Sequence, residues 1–390
     1  MSADTLAFAL LTSPGDGGIS VFSCLGEGAA EAISTAFRGR RPVADAAAGE
    51  LLYGRLVDES GEVIDEVIVA VLERGGSRTG GAGDLVEVNC HGGVVAAHEV
   101  ARRLRELGFR ELGGREFSAA LVRSGFSDPL SEAAIRCLSR AVTLVQIEFI
   151  TRASAGLRRR IREALAGPDD GLPSAIEALL EGRDAAERLA GESRVTVVGP
   201  ANSGKSTLAN ALARRERFVT SPEPHTTRDV VETLAEVAGL AVRLADTAGA
   251  LSDPDELGAE GWRRALAAAG RSDLVLLVMD GSQYPTELDR RCEAALECQG
   301  GPVLEVLGKA DLGLSAEAAA AELAAVSALE GEGVGVAELA ESVRTTLLGP
   351  LPSGPAFDKA VAEVLSSALS RARAGDNSRA RGELAAIIGK

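Results

Sequence analysis

The sequence predicts a multidomain chain of α/β and α+β class, in which an α/β domain interrupts a helical domain and follows an α+β domain. Three observations carry this. Residues 1–115 alternate short β-rich runs with glycine turns, whereas residues 116–190 turn to long stretches of Ala, Leu, Arg and Glu with few turn signals. From Arg194 the period becomes strand, loop, helix, and after Pro350–Pro355 helical periodicity returns. A chain of 390 residues has room for two or three domains with sizeable cores. The helical segments that flank the α/β region are expected to pack together, which makes that region an insertion. The expected domains are 1–115, 116–190, 191–349 and 350–390.

In the first region strands are expected at Ile19–Cys24, Leu51–Val57, Glu66–Leu72 and Leu85–Asn89, with helices at Ala29–Phe37 and Val94–Leu107. The glycine-rich stretch Arg74–Asp84 reads as a mobile loop. In the second region Leu138, Val142, Val145 and Phe149 recur at helical spacing; Pro168–Pro173 breaks the pattern, and a second helix follows near Ala175–Leu189. The cluster Arg158-Arg159-Arg160-Arg162 is either a solvated helix face or a local RNA contact. The α/β region is expected to hold a doubly wound parallel sheet, with strands at Ala241–Ala245, Leu274–Asp280 and Val303–Leu307 and helices at Ala316–Ala325 and Val336–Leu347. The tail Ala356–Lys390 is helical and interrupted at Gly375-Asp376-Asn377.

A net charge of −16 and an aromatic content of 3% exclude a broadly basic, base-stacking surface, so DNA is not an expected partner and any RNA contact is local. Five scattered cysteines, none in a CxxC pair, read as reduced thiols, most of them filling cores. The apolar run Leu6–Leu11 follows acidic Asp4 and lacks the basic flank and length of a signal peptide, and no run reaches the length of a membrane span. A cytoplasmic protein is expected.

The chemistry centres on Val195–Leu208, VTVVGPANSGKSTL. The spacing Gly199-x-x-x-x-Gly204-Lys205-Ser206 is a complete Walker A pattern between a β-branched run and a helix-compatible one. In such a loop (Gly199, Asn202, Ser203, Gly204, Lys205, Ser206 and Thr207) backbone N–H groups wrap phosphates, the lysine reaches the β/γ oxygens and the Ser206 hydroxyl ligates Mg²⁺. Downstream come Thr226-Thr227-Arg228-Asp229 and Asp246-Thr247-Ala248-Gly249. Thr227 and Asp246 add hard oxygens for Mg²⁺, and the Gly249 amide can touch a γ-phosphate, so Lys205, Thr227 and Gly249 are the catalytic candidates. Gly308-Lys309-Ala310-Asp311 follows a strand where GTPases place Asn-Lys-x-Asp; Lys309 packs along a base and the Asp311 carboxylate pairs with guanine N1–H and N2–H. Ser327-Ala328-Leu329 resembles the last base-contacting loop. GTP is the expected nucleotide, with ATP as the alternative left by the missing Asn.

With these motifs in order, the chain resembles a divergent member of the MnmE/TrmE family of tRNA-modification GTPases nearly end to end. The landmarks are DTLAFALLTSPGDGG, Glu87-Val88-Asn89-Cys90-His91-Gly92-Gly93, Gly114-Arg115-Glu116-Phe117 and the final Gly389-Lys390. The resemblance implies a folate-type N-terminal domain that dimerises, and a P-loop G domain inserted in a helical domain. It implies GTP hydrolysis coupled to alkylation of C5 of the wobble uridine of tRNA, with an MnmG-like flavoprotein as partner and a tetrahydrofolate derivative as one-carbon source. It also implies a K⁺ ion that supplies positive charge at the β/γ bridge, held by Asn202 with Ser221, Glu223 and Thr226. Glu87, His91 and Lys390 match folate contacts, although a His before Gly-Gly is equally a loop hydrogen-bonder.

The departures are specific. Gly258 stands at the family's catalytic Glu, with Glu256 and Glu260 as neighbouring substitutes, and Gly308 stands at the Asn. Ile387 replaces the C-terminal Cys, and Ser23 and Gly125 replace two cationic folate contacts. The alternative is a non-modifying regulatory paralogue that binds nucleotide with weak or absent hydrolysis.

Overall fold

The computed structural model describes residues 6–13, 15, 17–75, 83–214, 231–247, 256–298, 300–328, 334–350 and 354–389, with the side chains of 214, 231 and 256–261 outside the description. The chain divides into two compact units, Met1–Glu132 with Ala385–Lys390, and Ala133–Leu384. Among the described residues no helix is long and apolar enough to cross a membrane.

The first unit is a seven-stranded sheet with helices on both faces. Its elements are β1 (Ala7–Leu10), β2 (Ile19–Gly26), α1 (Ala29–Ala36), β3 (Phe37–Gly39), β4 (Glu50–Val57), β5 (Val63–Glu73), β6 (Asp84–His91), α2 (Val94–Glu106), β7 (Arg110–Glu111) and α3 (Gly114–Arg123). α1 and α2 lie on one face, and α3 lies against Ala7, Ala9 and Leu25 on the other. The strand order is β3-β4-β5-β6-β2-β1-β7, antiparallel except for the β1/β7 pair. Alternation decides the faces: Val86, Val88 and Cys90 of β6 are buried with Phe8, Phe22, Ile33 and Leu104, while Glu87, Asn89 and His91 lie on the other face. The four expected strands and two helices lie where the alternation places them. β1 goes beyond them, because four residues of the Leu6–Leu11 run are too few to show a period. Of the loop Arg74–Asp84, residues 76–82 lie outside the described residues; at its feet the Gly75 N–H donates to Asp84 Oδ1 at 3.1 Å.

α4 (Pro129–Leu138) ends before Thr143, which caps α5 (Leu144–Ala166) in a reciprocal box with Gln146. The helical spacing from Leu138 to Phe149 is therefore interrupted at a cap. Thr143 Oγ1 also donates to the Gly239 carbonyl at 2.9 Å, and Val145 and Phe149 pack on the core of the α/β region. The expected helix Ala175–Leu189 is two, α6 (Leu172–Leu180) and α7 (Arg183–Ala190), because Gly182 takes a left-handed conformation between them. Of the arginine cluster, Arg159 pairs with Glu163 on the exposed face, whereas Arg160 turns inward and donates to the carbonyls of Ala178 at 2.6 Å and Gly354 at 3.1 Å.

The α/β region comprises β8 (Ser193–Val198), α8 (Lys205–Arg214), β9 (Val231–Val237), β10 (Leu240–Asp246), α9 (Glu256–Ala269), β11 (Leu274–Asp280), α10 (Glu287–Glu297), β12 (Val303–Gly308), α11 (Ala316–Ala320), β13 (Ala324–Ala325) and α12 (Val336–Leu348). Its six strands run β13-β12-β11-β8-β10-β9, parallel except for β9, which pairs antiparallel with β10. The sheet is thus mixed, because β9 and β10 are joined by the two-residue turn Ala238-Gly239 and no crossover can fit there. The expected helix Ala316–Ala325 stops at Ala320, and Ala324 and Ala325 pair with Val306 and Leu307 instead. Both faces of the sheet are covered, with Val195, Val197 and Leu276 in one core and Val198, Leu277 and Met279 in the other. Beyond it lie α13 (Lys359–Arg373), which packs on α6, and α14 (Asn377–Ile387). Arg373 pairs with Glu177, and Arg381 with Asp169.

Candidate nucleotide site

The phosphate-binding loop leaves the C-terminal end of β8, the strand from which the sheet is built outward in both directions. Ligands of open α/β sheets lie at this edge. Gly199 has φ +147°, and a Cβ there would lie 2.0 Å from the Val278 carbonyl oxygen, so the chain can pass β11 only without a side chain. Asn202 is left-handed at φ +61° and its side chain is exposed; Gly204 follows at φ +99°. α8 then begins at Lys205, with the exposed hydroxyls of Ser206 and Thr207 in its first turn, so its positive end faces the loop.

Lys205 is buried and its Nζ donates to the Pro200 carbonyl at 2.5 Å. Burial holds its pKa below that of an ordinary lysine, against the pull of nearby Asp246. Asp246 Oδ1 and Ser203 Oγ are buried with no hydrogen-bond partner among the described residues. A carboxylate oxygen left bare beside the phosphate loop is a position that suits a hard cation. Thr247 turns away: its Oγ1 donates to the Val197 carbonyl at 2.7 Å and ties the end of β10 to β8.

The base-reading segment stands at the end of β12. Lys309 is left-handed at φ +58°, and its Nζ donates to Asp280 Oδ2 at 2.7 Å. Burial alone would raise the Asp280 carboxyl, but hydrogen bonds from Lys309 and Ser282 prevail and hold it below the usual range. Ser327 Oγ donates to Asp311 Oδ1 at 2.7 Å, which fixes the carboxylate. Both segments line a cavity of about 350 Å³, the first through Gly204 and Thr207 and the second through Gly308, Lys309, Asp311 and Ala328. The structure therefore brings Gly199–Thr207, Asp246, Lys309, Asp311, Ser327 and Ala328 to one edge of one sheet. Asp280, Leu312 and Val326 belong to the same place and carry no motif. A carboxylate at the C-terminal end of a parallel strand was the one available signal for Asp280.

Thr227, Ala248, Gly249, Leu329 and the residues Ser221, Glu223 and Thr226 lie outside the described residues, as does Lys390. The backbone of Glu256, Gly258 and Glu260 forms the start of α9. In the first unit, Glu87 and Ser23 are register partners on β6 and β2. Glu87 is half-buried, and burial raises its carboxyl. His91 is exposed, with Nδ1 2.7 Å from Asp65 Oδ1, and that partner raises its pKa. Burial pushes the Cys90 thiol up to about 11 and the Cys292 thiol up to about 12, and these two and Cys24 fill cores, whereas Cys298 is exposed and does not. Ile387, expected to stand in for the family's Cys, is buried.

Comparison with known proteins is consistent with this geometry. A family model described as GTP-binding protein TrmE N-terminus matches residues 6–121, and one described as 50S ribosome-binding GTPase matches residues 194–309. The tRNA modification GTPase MnmE of Chloroflexus aurantiacus is 32% identical over 379 residues, covering 89% of this chain and 82% of that protein. This chain belongs to the MnmE family. MnmE of Paramagnetospirillum magneticum is 34% identical over 405 residues, covering 93% of this chain and 89% of its own, and that of Thermus thermophilus is 33% identical over 370 residues. Membership accounts for the two halves together: a TrmE-type N-terminal α+β domain and a P-loop GTPase domain on one chain.

Proposed function

We propose that the protein hydrolyses GTP to drive a conformational cycle in the modification of the wobble uridine of tRNA. The observation that carries this is the juxtaposition, across one cavity, of a Walker loop with a buried lysine and an Asp311 carboxylate held by Ser327. The loop's amides and the start of α8 receive the phosphates; Lys205 leaves the Pro200 carbonyl for the β/γ oxygens and stabilises the charge that develops there. Asp311 accepts N1–H and N2–H of guanine, which adenine cannot offer, and Lys309 lies along the base. Mg²⁺ would be held by Ser206 and Asp246, with Thr227, and would neutralise phosphate charge. The bare Asp246 Oδ1 supports that assignment. For K⁺, the exposed, left-handed Asn202 is the described ligand of the expected set.

The packing of α13 on α6, and of α5 on the α/β core, supports reading the G domain (191–349) as an insertion between helical segments 116–190 and 350–390. The first unit, up to about residue 115, is then the folate-type, dimerising domain. There Glu87 faces Ser23, where a cation is expected, so folate binding is the weakest of the inherited contacts. A flavoprotein of the MnmG type and tRNA are the proposed partners, in the cytoplasm. Gly258 places the attacking water in the care of another group, with Glu256 and Glu260 nearest in sequence.

The test is phosphate release from GTP and ATP by the purified chain in KCl and in NaCl, together with rescue of wobble-uridine modification in cells lacking their own enzyme. GTP turnover that is faster in KCl and loses that difference in Asn202→Ala supports the reading. GTP binding without turnover, and no rescue, would replace it with the regulatory paralogue.

A further inference from the structure

One nucleotide must satisfy two segments, the phosphate loop and the loop that follows β12. In GTPases generally the Asn of Asn-Lys-x-Asp bridges them with its side chain; here that position is Gly308. Gly308 and Gly281 have no positive φ, so neither is glycine for conformational reasons. The reason is space. A Cβ at 308 would lie 2.7 Å from the Ser203 carbonyl oxygen and 3.3 Å from Val278 Cγ1. Real Cβ atoms do not approach backbone oxygen so closely, and a core this tight yields only at a cost. On the other shoulder of the phosphate loop, Gly199 passes Val278 with still less room, at 2.0 Å. The Gly281 N–H donates to the Gly308 carbonyl at 3.0 Å, while a Cβ at 281 would strike Leu314 Cδ2 at 2.7 Å. The phosphate loop is thus seated backbone to backbone on the ends of β11 and β12, and the gap that an Asn side chain would span is closed.

We propose that Gly308 is a positioning residue that joins the base-reading loop to the phosphate loop by direct backbone contact, in place of a side-chain bridge. A side chain at 308 separates the two segments and weakens any ligand that must reach both, while ligands of one segment alone are unaffected. The missing Asn is then a replacement of one coupling by another, and restoring it damages the site. This rests on the reading of the cavity as a guanine-nucleotide site.

The experiment compares the full-length chain with Gly308→Ala and Gly308→Asn, measuring affinity for fluorescent mant-GDP, which spans both segments, and for pyrophosphate by competition, which touches the phosphate loop only. Expected is the order Gly, Ala, Asn from tightest to weakest for mant-GDP, with a loss of roughly tenfold at the first step, the size of a modest overpacking strain. Pyrophosphate affinity should stay within about twofold across the series, a difference of well under 1 kcal/mol. Mant-GDP binding by Gly308→Asn as tight as wild type or tighter overturns the proposal, and so does a parallel loss of pyrophosphate, which marks general damage to the loop. Should Gly308→Asn fail to fold, Gly308→Ala decides by the same criteria. Failure of the wild-type chain to bind mant-GDP would instead overturn the nucleotide assignment itself.

Discussion

At its phosphate end the nucleotide site is made of backbone: amides of a loop held by glycines at 199 and 204, and the first turn of α8. At its base end it is made of side chains, Asp311 braced by Ser327 and Lys309 braced by Asp280. Backbone contacts depend on close approach, so the phosphate end demands a strict spacing of glycines and tolerates no added atoms. Side-chain contacts can be re-braced from neighbouring strands, so the base end can lose its usual Asn and keep its carboxylate. The two ends therefore differ in how a substitution acts.

The comparison breaks first at Lys205, the buried cation of the phosphate end. Lys205→Met should abolish GTP hydrolysis and lower mant-GTP affinity by roughly a hundredfold or more, since charge-assisted contacts to phosphate are among the strongest a site makes. The nucleotide-free variant should melt above wild type, because it no longer buries that charge. Because burial sets the Lys205 pKa below its ordinary 10.5, the unfolded chain holds that proton more tightly, and stability rises as pH climbs through the window between the folded value and 10.5. Thermal melts at neutral pH and across that window check it; a less stable nucleotide-free variant would show that the lysine serves the fold.

At the base end the largest effect should come from Asp311→Asn. A carboxylate accepts two guanine N–H groups, whereas an amide presents one donor and one acceptor, a match for xanthine. Guanine nucleotides should lose about a hundredfold in affinity, two hydrogen bonds to a charged group, while pyrophosphate binding is unchanged. Competition by GDP and XDP measures it, and unaltered GDP affinity would remove Asp311 from the site. Ser327→Ala should cost less, about three- to tenfold for GDP, since it frees the carboxylate to rotate without removing it. A loss as large as that of Asp311→Asn would mean that Ser327 itself contacts the base.

The same division explains what was legible in the sequence. Strands of the first unit alternate, and β11 is a continuous apolar run, so their periods announced them; the phosphate loop announced itself by glycine spacing. Ala316–Ala325 did not, because its alanines favour a helix throughout and nothing in them marks the half-buried strand, so only pairing with Val306 and Leu307 decides where the helix stops. β9 was not legible as antiparallel, since its direction is set by the Ala238-Gly239 turn and by no feature of its own residues. Lys309 and Asp311 were found through their motif, but Leu312 reaches the cavity, and Asp280 reaches Lys309, through the fold alone. Tertiary braces of this kind leave no spacing to read.

Asp280→Asn tests the outermost of these braces and should have the smallest effect. The Asp280–Lys309 pair is partly buried, with the carboxylate side chain 17% exposed and the lysine 31%. Burial disfavours the charged carboxylate, yet donors from Lys309 and Ser282 outweigh it and keep its pKa below the ordinary 3.8. A carboxyl lowered in the folded state contributes stability above 3.8 and loses it only as pH falls through the folded value, so the brace is intact throughout the neutral range. The variant should therefore bind GDP about three- to fivefold more weakly, roughly 1 kcal/mol for a partly exposed ion pair, and by the same factor at pH 6 and pH 8. Pyrophosphate should not register the change. Equal GDP affinity in wild type and variant would mean that Lys309 holds its place without Asp280, through the left-handed turn at its own backbone and the packing of its stem over Gly204.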